Sequence, residues 1–230
     1  MYYGKYIEDA NESGIIDKYL SDVSINATEA LCGSFDALKN LYDLVLNTSS
    51  RFQNQIFMFN FSKFIRGLNL DEERKDKLKE ILTGDDDSCQ KVRRVLQCLE
   101  KIDTEKKVDF IVNTTNALIN EDICVGDYFR ICQAIVNTLD EDLEYLKEQI
   151  LEGNQLRTNL SYCYAVQGLL NSGLMYETSV AYSPVGGYCF SKFGLLVDKY
   201  SLSYTDMNKY NDFDINAVTM GPTLWLDTNG

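Results

Sequence analysis

Lys91-Val92-Arg93-Arg94-Val95-Leu96-Gln97-Cys98-Leu99-Glu100-Lys101-Ile102 decides how the chain reads. Val92, Val95, Leu96, Leu99 and Ile102 recur at the i, i+3, i+4, i+7 spacing of one helix face, and Lys91, Arg93, Arg94 and Lys101 lie mostly off that stripe. The same pattern extends from Asn69 to Gly153. Upstream, Asn69 is expected to cap a helix by accepting from an orphan backbone N–H, with Glu72 three residues on, as in a capping box. Asp71, Glu72 and Glu73 then fill the first turn, where negative charge suits the helix dipole. Leu78, Ile81 and Leu82 give its stripe, Thr83-Gly84 ends it, and Asp85-Asp86-Asp87 turns the chain towards a new start at Asp87 or Ser88.

Downstream, Asp103 or Thr104 caps a helix with Val108, Ile111, Val112, Thr115 and Leu118 or Ile119 facing inward. Asn120 to Val125 is a break. Asp127 is expected to start the next helix (Phe129, Ile131, Cys132, Ile135, Val136, Leu139), and Asp140 another (Leu143, Leu146, Ile150) that runs to Gly153 as an αL cap. Short connections between amphipathic helices predict an antiparallel bundle or related helical array.

Before this stretch, Ala27 to Leu46 has a helical pattern (Leu31, Phe35, Leu38, Val45), and a short helix is allowed around Gly14–Leu20. Phe52 to Leu68 is apolar on all sides, which predicts a central helix buried on all sides. After Gly153, Leu156, Leu160, Cys163, Val166 or Gln167, and Leu170 predict a further helix stopped by Asn171-Ser172-Gly173. Met175 to Tyr182 reads as a strand, Ser183-Pro184-Val185-Gly186-Gly187 as a turn and Tyr188-Cys189-Phe190 as the returning strand. Phe193 to Tyr200 closes the pattern as a helix. The expected fold is therefore mainly α: a multi-helix bundle over 1–153, a helix–β-hairpin–helix (winged-helix-like) appendage over 154–200, and an irregular polar tail over 201–230.

Composition narrows the function. The 230 residues carry a formal net charge of −13, which repels phosphate backbones and disfavours general nucleic-acid binding. A nucleic-acid reader would place Lys and Arg on the helix and wing, yet only Arg157 precedes the hairpin, none lies in it, and Lys192 and Lys199 follow it. There is no His, which removes His-dependent triads, general bases and metal ligands together. Seven Cys without a CxxC pair fit small buried side chains in a reducing compartment, and the expected location is cytoplasmic. The start lacks the apolar region of a signal peptide and no run is long enough to span a membrane, so Asn-x-Ser/Thr matches such as Asn26-Ala27-Thr28 are read as chance.

GxxxxGK[ST], GxGxxG and GxSxG are all missing. Asp85-Asp86-Asp87 lacks the EF-hand spacing, and Glu141, Asp142 and Glu144 read as a solvated helix face. The reading assigns no catalytic, cofactor-binding or metal-binding residue and expects no enzyme. Tyr162, Tyr164, Tyr176, Tyr182, Tyr188, Tyr200 and Tyr204 make the C-terminal part Tyr-rich. That suits a binding surface, because Tyr offers area with a polar tip, and it also suits cross-strand Tyr pairs that shield a hairpin. Tyr176, Tyr182, Tyr188 and Trp225 are assigned as candidate partner contacts.

Lys63-Phe64-Ile65-Arg66-Gly67-Leu68, Asp71-Glu72-Glu73-Arg74-Lys75, Lys91-Val92 with Leu96 and Leu99, and Asp103 with Lys106-Lys107 resemble a class of bacterial and prophage helical proteins. Ile123, Tyr128-Phe129-Arg130-Ile131 and Asp142-Leu143-Glu144-Tyr145-Leu146 continue the likeness. Gly173-Leu174, a hairpin and Phe193-Gly194 are similar to the C-terminal end of the Abi-alpha-like proteins linked to abortive infection. The resemblance spans roughly Phe52 to Tyr200, rests on helix caps and core positions, and carries over no catalytic residue. The acidic, His-free composition and long polar tail depart from it. It implies a bacterial or phage setting and a role in phage–host conflict. Three functions are therefore expected in order: a protein-interaction module, an acidic inhibitor occupying a nucleic-acid site on a basic enzyme, and a His-independent carboxylate/metal hydrolase.

Overall fold

The computed structural model describes residues 29, 51–83, 88–152, 155–157, 160–178, 187–206, 208–211 and 213–215. Expectations for 1–28, 30–50, the Asp85 turn, the hairpin tip and the segment after 215 lie outside them. The protein is mainly helical, with one helix–hairpin–helix element near its C-terminal end. The described residues divide between two compact units, separated in sequence between Ile102 and Asp103.

The first unit contains α1 (Arg51–Leu68), α2 (Glu72–Thr83) and α3 (Ser88–Lys101). Both α1 and α2 pack on α3. Phe61, Phe64, Leu68, Leu78, Leu82, Val92, Val95, Leu99 and Ile102 are buried. Burial of each such side chain contributes roughly 1.5–3 kcal/mol. The ends of two helices are closed by side chains from elsewhere. The Asn60 amide donates to the carbonyls of Leu99 and Ile102, both at 3.1 Å. Lys91 Nζ donates to the Ile81 carbonyl at 2.9 Å. Carbonyls in a last helical turn have no partner within the helix, so these donors satisfy them.

Two expectations fail in this unit. Helix α1 is not buried on all sides: Phe59 is 52% exposed and Ile56 39% exposed. The polar Asn60 is buried instead, because it is needed at the end of α3. Nor is Asn69 the cap of α2. Asn69 adopts the left-handed conformation (φ 43°), and the Asp71 carboxylate accepts from Arg74 N at 2.9 Å. Asn tolerates that conformation better than most residues, so it turns the chain and leaves capping to Asp71.

The second unit starts with α4 (Glu105–Ile119), α5 (Val125–Asn137) and α6 (Asp140–Gln149). Thr104 caps α4, as expected. Val108, Ile111, Val112, Thr115, Leu118 and Ile119 all point into the core, as do Leu143, Leu146 and Ile150. Helix α5 begins at Val125 with Cys124 before it, ahead of the expected Asp127, and Leu139 is 61% exposed. Helix α6 stops at Gln149; Leu151–Glu152 (β1) pairs antiparallel with Gln155–Leu156 (β2) where helix was expected up to Gly153.

The next helix is shorter than its apolar pattern suggests. Only Tyr164–Asn171 (α7) is helical. Leu160 instead bridges Tyr188 through backbone bonds of 3.0 and 3.2 Å. Gly173 (φ 73°) terminates α7 with the left-handed geometry that glycine adopts freely. Met175–Thr178 (β3) and Gly187–Phe190 (β4) form the hairpin, in register Met175↔Phe190 to Thr178↔Gly187. Lys192–Val197 (α8) follows, capped by Ser191 Oγ, which accepts from Gly194 N at 2.9 Å. These C-terminal elements are part of the unit's own core: α7 packs on α6, and α8 packs on α5. No helix among the described residues is long and apolar enough to cross a membrane.

Candidate functional site

Helix α8 runs directly into a wider π-helical turn, Asp198–Leu202. Its mark is the bond from Ser203 N to the Asp198 carbonyl at 2.7 Å, five residues back. The turn is tied to α4 from two sides. Asn113 donates to the Ser201 carbonyl at 2.8 Å, and Ser201 Oγ donates to the Phe110 carbonyl at 3.0 Å.

Asp198 is fully buried, and its charge is met on every side. Oδ1 accepts from Ser203 Oγ at 2.8 Å. Oδ2 accepts from Tyr210 OH at 2.6 Å and from Lys209 Nζ at 2.6 Å. Lys209 donates further to the Lys147 carbonyl at 2.5 Å and to Ser203 Oγ at 3.2 Å. Three partners use all three ammonium donors. Lys147 stands in the last turn of α6, where a cation suits both the orphan carbonyl and the dipole. Burial, the adjacent Asp198 charge and the shared hydrogen bond hold the Tyr210 phenol far above its usual range. Tyr210 therefore keeps its proton. Hydrogen-bonded through both carboxylate oxygens, Asp198 works as a clasp that holds Ser203, Lys209 and Tyr210 together.

Beside the clasp is a groove of about 320 Å³. Tyr200, Tyr204, Tyr210 and Lys199 line it, with Asp122 and Asp206 contributing carboxylates. Lys199 Nζ lies 5.0 Å from the Tyr200 ring centroid and 6.0 Å from that of Tyr210, within cation–π range. Tyr204 OH donates to Asp122 Oδ2 at 3.2 Å and accepts from the Asn120 amide at 2.7 Å, which fixes one wall. Tyr200 and Tyr204 belong to the Tyr-rich C-terminal part that the sequence marks as a candidate surface, whereas Lys199, Tyr210, Asp122 and Asp206 carried no such signal.

The tyrosines expected to contact a partner are dispersed. Tyr176 and Tyr188 are both half-buried, but the register places Tyr176 opposite Cys189 and Tyr188 opposite Glu177, on opposite faces of the hairpin. Burial first, and then neighbouring Cys189, push the Tyr176 phenol up. Tyr182 and Trp225 lie outside the described residues. The more open aromatic surface belongs to Tyr162 (55% exposed) and Tyr164 (91% exposed). The Tyr162 and Tyr188 ring centroids are 6.1 Å apart, so this surface continues onto the hairpin. Residue type alone flagged these rings. Their exposure depends on α7 starting only at Tyr164.

Among the described residues no group of three or more Cys, Asp or Glu side chains is gathered as metal donors would be. Cys132 and Cys189 are buried as expected, whereas Cys124 is exposed, its thiol 3.3 Å from Asp127 Oδ2. Compared with protein-family models, curated proteins and solved structures, the chain finds no match in any of the three.

Proposed function

We propose that the protein is a non-catalytic protein-interaction module, and that its partner docks on the tyrosine surface formed by Tyr162, Tyr164 and Tyr188. One observation carries the reading: Tyr164 is 91% exposed and Tyr162 55%, and the latter is continuous with Tyr188. Monomeric surfaces rarely leave neighbouring aromatic rings in water without use, and Tyr supplies contact area at low entropic cost. The sequence supports the non-catalytic part, since it carries no His and none of the phosphate-cradle or nucleophile-elbow motifs. The net charge of −13 favours a partner with a basic surface. The resemblance of residues 52–200 to the Abi-alpha-like proteins supports a bacterial or phage setting and a role in phage–host conflict.

The test is capture from a bacterial lysate, with and without nuclease, using the full chain and a Tyr162→Ser/Tyr164→Ser variant of unchanged Tm. A protein retained by the parent after nuclease and lost by the variant supports the reading. Equal capture by both removes the tyrosine surface from it, and capture of nucleic acid alone overturns it. An acidic inhibitor of a basic enzyme, which the charge also fits, predicts capture that falls steeply as salt rises and that survives loss of the two tyrosines.

A further inference from the structure

The groove beside the clasp holds charges of both signs that do not meet. Lys199 rests over the Tyr200 and Tyr210 rings and, among the described residues, has no ion pair or hydrogen bond. A cation over a ring face still has N–H donors to offer. Asp206 lines the same groove, is exposed, and likewise has no side-chain partner among the described residues. Asp206 is held in place through its backbone, with its N–H on the Ser203 carbonyl at 2.9 Å and its carbonyl accepting from Lys209 N at 3.2 Å. The clasp therefore fixes the segment that carries it.

We propose that this groove binds a small aromatic zwitterion of the size of a free α-amino acid. The ligand carboxylate meets Lys199, its ammonium group meets Asp206 with Asp122 nearby, and its ring lies among Tyr200, Tyr204 and Tyr210. Three considerations select this class. A purely anionic ligand would face Asp122 and Asp206 in a chain of net charge −13. A purely cationic ligand would face Lys199 on the rings it needs. And a volume of about 320 Å³ stands at the small end of ligand sites, which suits one amino acid. The inference is independent of the docking surface proposed above, because neither Tyr162 nor Tyr164 lines this groove.

Titration calorimetry on the purified full chain tests it with L-tryptophan, L-tyrosine and L-phenylalanine. Tryptamine, which lacks the carboxylate, and indole-3-propionate, which lacks the ammonium group, serve as matched probes for L-tryptophan. At least one of the three amino acids binds, and L-tryptophan, if bound, exceeds its two matched probes by roughly tenfold or more, the change expected for one charge-assisted contact. Lys199→Met weakens the amino acid about tenfold and does not weaken tryptamine; Asp206→Asn weakens it similarly and does not weaken indole-3-propionate. Both residues lie outside the buried clasp, and unchanged Tm values confirm that the variants fold. No binding by any of the three amino acids, equal binding of L-tryptophan and its two probes, or variants that bind like the parent would overturn the proposal.

Discussion

A Cβ placed on Gly168 would lie 1.8 Å from Oδ2 of Asp142. The carboxylate of α6 fits against α7 only because residue 168 has no side chain. Asp142 is 7% exposed, and its carboxylate has no hydrogen bond or ion pair among the described residues. Burial first, and the charge of Glu141 second, push its carboxyl up from the usual value. Gly168→Ala must therefore displace the Asp142 carboxylate, at a cost of about 1 kcal/mol, less than where a Cβ meets backbone, which urea unfolding will show.

The same site gives a pH dependence. Because the folded value is raised, the protonated carboxyl is the form the fold prefers. Its contribution is full below the ordinary Asp value and is lost as pH rises through the raised one. Asp142→Asn, a neutral side chain of the same shape, should raise Tm at neutral pH. The advantage should shrink to nothing on acidification below about pH 4. Parallel melting curves across that range check it, and an advantage that persists in acid would contradict the assignment.

The clasp predicts an unequal pair of losses. Lys209→Met leaves the Asp198 charge buried without its cation, a defect worth about 3–5 kcal/mol. Tyr210→Phe removes one hydrogen bond to the same carboxylate and should cost about 1–3 kcal/mol. Adding Asp198→Asn to Lys209→Met removes the stranded charge and should recover part of the loss. Denaturant midpoints of these variants and of Asp198→Asn alone supply the comparison, and additive losses in the double variant would argue against coupling.

Asn60 makes a prediction in the first unit. Its amide closes the end of α3 through Leu99 and Ile102. Asn60→Leu keeps the size but strands two buried carbonyls, costing about 1–3 kcal/mol. Hydrogen exchange should quicken in the last turn of α3 before it does elsewhere in that helix.

Two glycines should respond in opposite ways. A Cβ on Gly194 would meet the Leu174 carbonyl oxygen at 2.3 Å, and backbone cannot step aside as a side-chain tip can. Gly194→Ala should cost about 1–3 kcal/mol or more and disturb the junction of hairpin and α8. A Cβ on Gly126 meets only Cys124 Sγ, at 3.7 Å, so Gly126→Ala should leave Tm unchanged or slightly higher. The two melting temperatures decide the contrast.

The helices were legible because each buries a face whose period shows in a few residues, as Val92 to Ile102 and Val108 to Ile119 do. What stayed hidden depends on partners distant in sequence. Leu160 fits a helical stripe by spacing, but it pairs with Tyr188 in a ladder no local pattern announces. Asp142 reads as one more acid on a solvated face until α7 covers it. The clasp was missed for the same reason: Asp198 finds Tyr210 across 12 residues, and Lys209 reaches the Lys147 carbonyl across 62. A recurrence of aromatic residues in the polar tail, Tyr204, Tyr210 and Phe213, was the signal available. It pointed to burial without naming the carboxylate beneath.

The turn at Asp198–Leu202 also sets how this part of the chain can change in length. It holds one residue more per hydrogen-bonded ring than an α-helix. Deleting one residue within Lys199–Leu202 would close the Ser203-to-Asp198 ring as an ordinary α turn and leave Ser203 near its present angle about the helix axis. A deletion between Ser203 and Lys209 has no such slack: it would draw Lys209 and Tyr210 off Asp198 and strip a buried charge of two of its three partners in one step. The loss of one codon is thus absorbed on one side of Ser203 and not on the other.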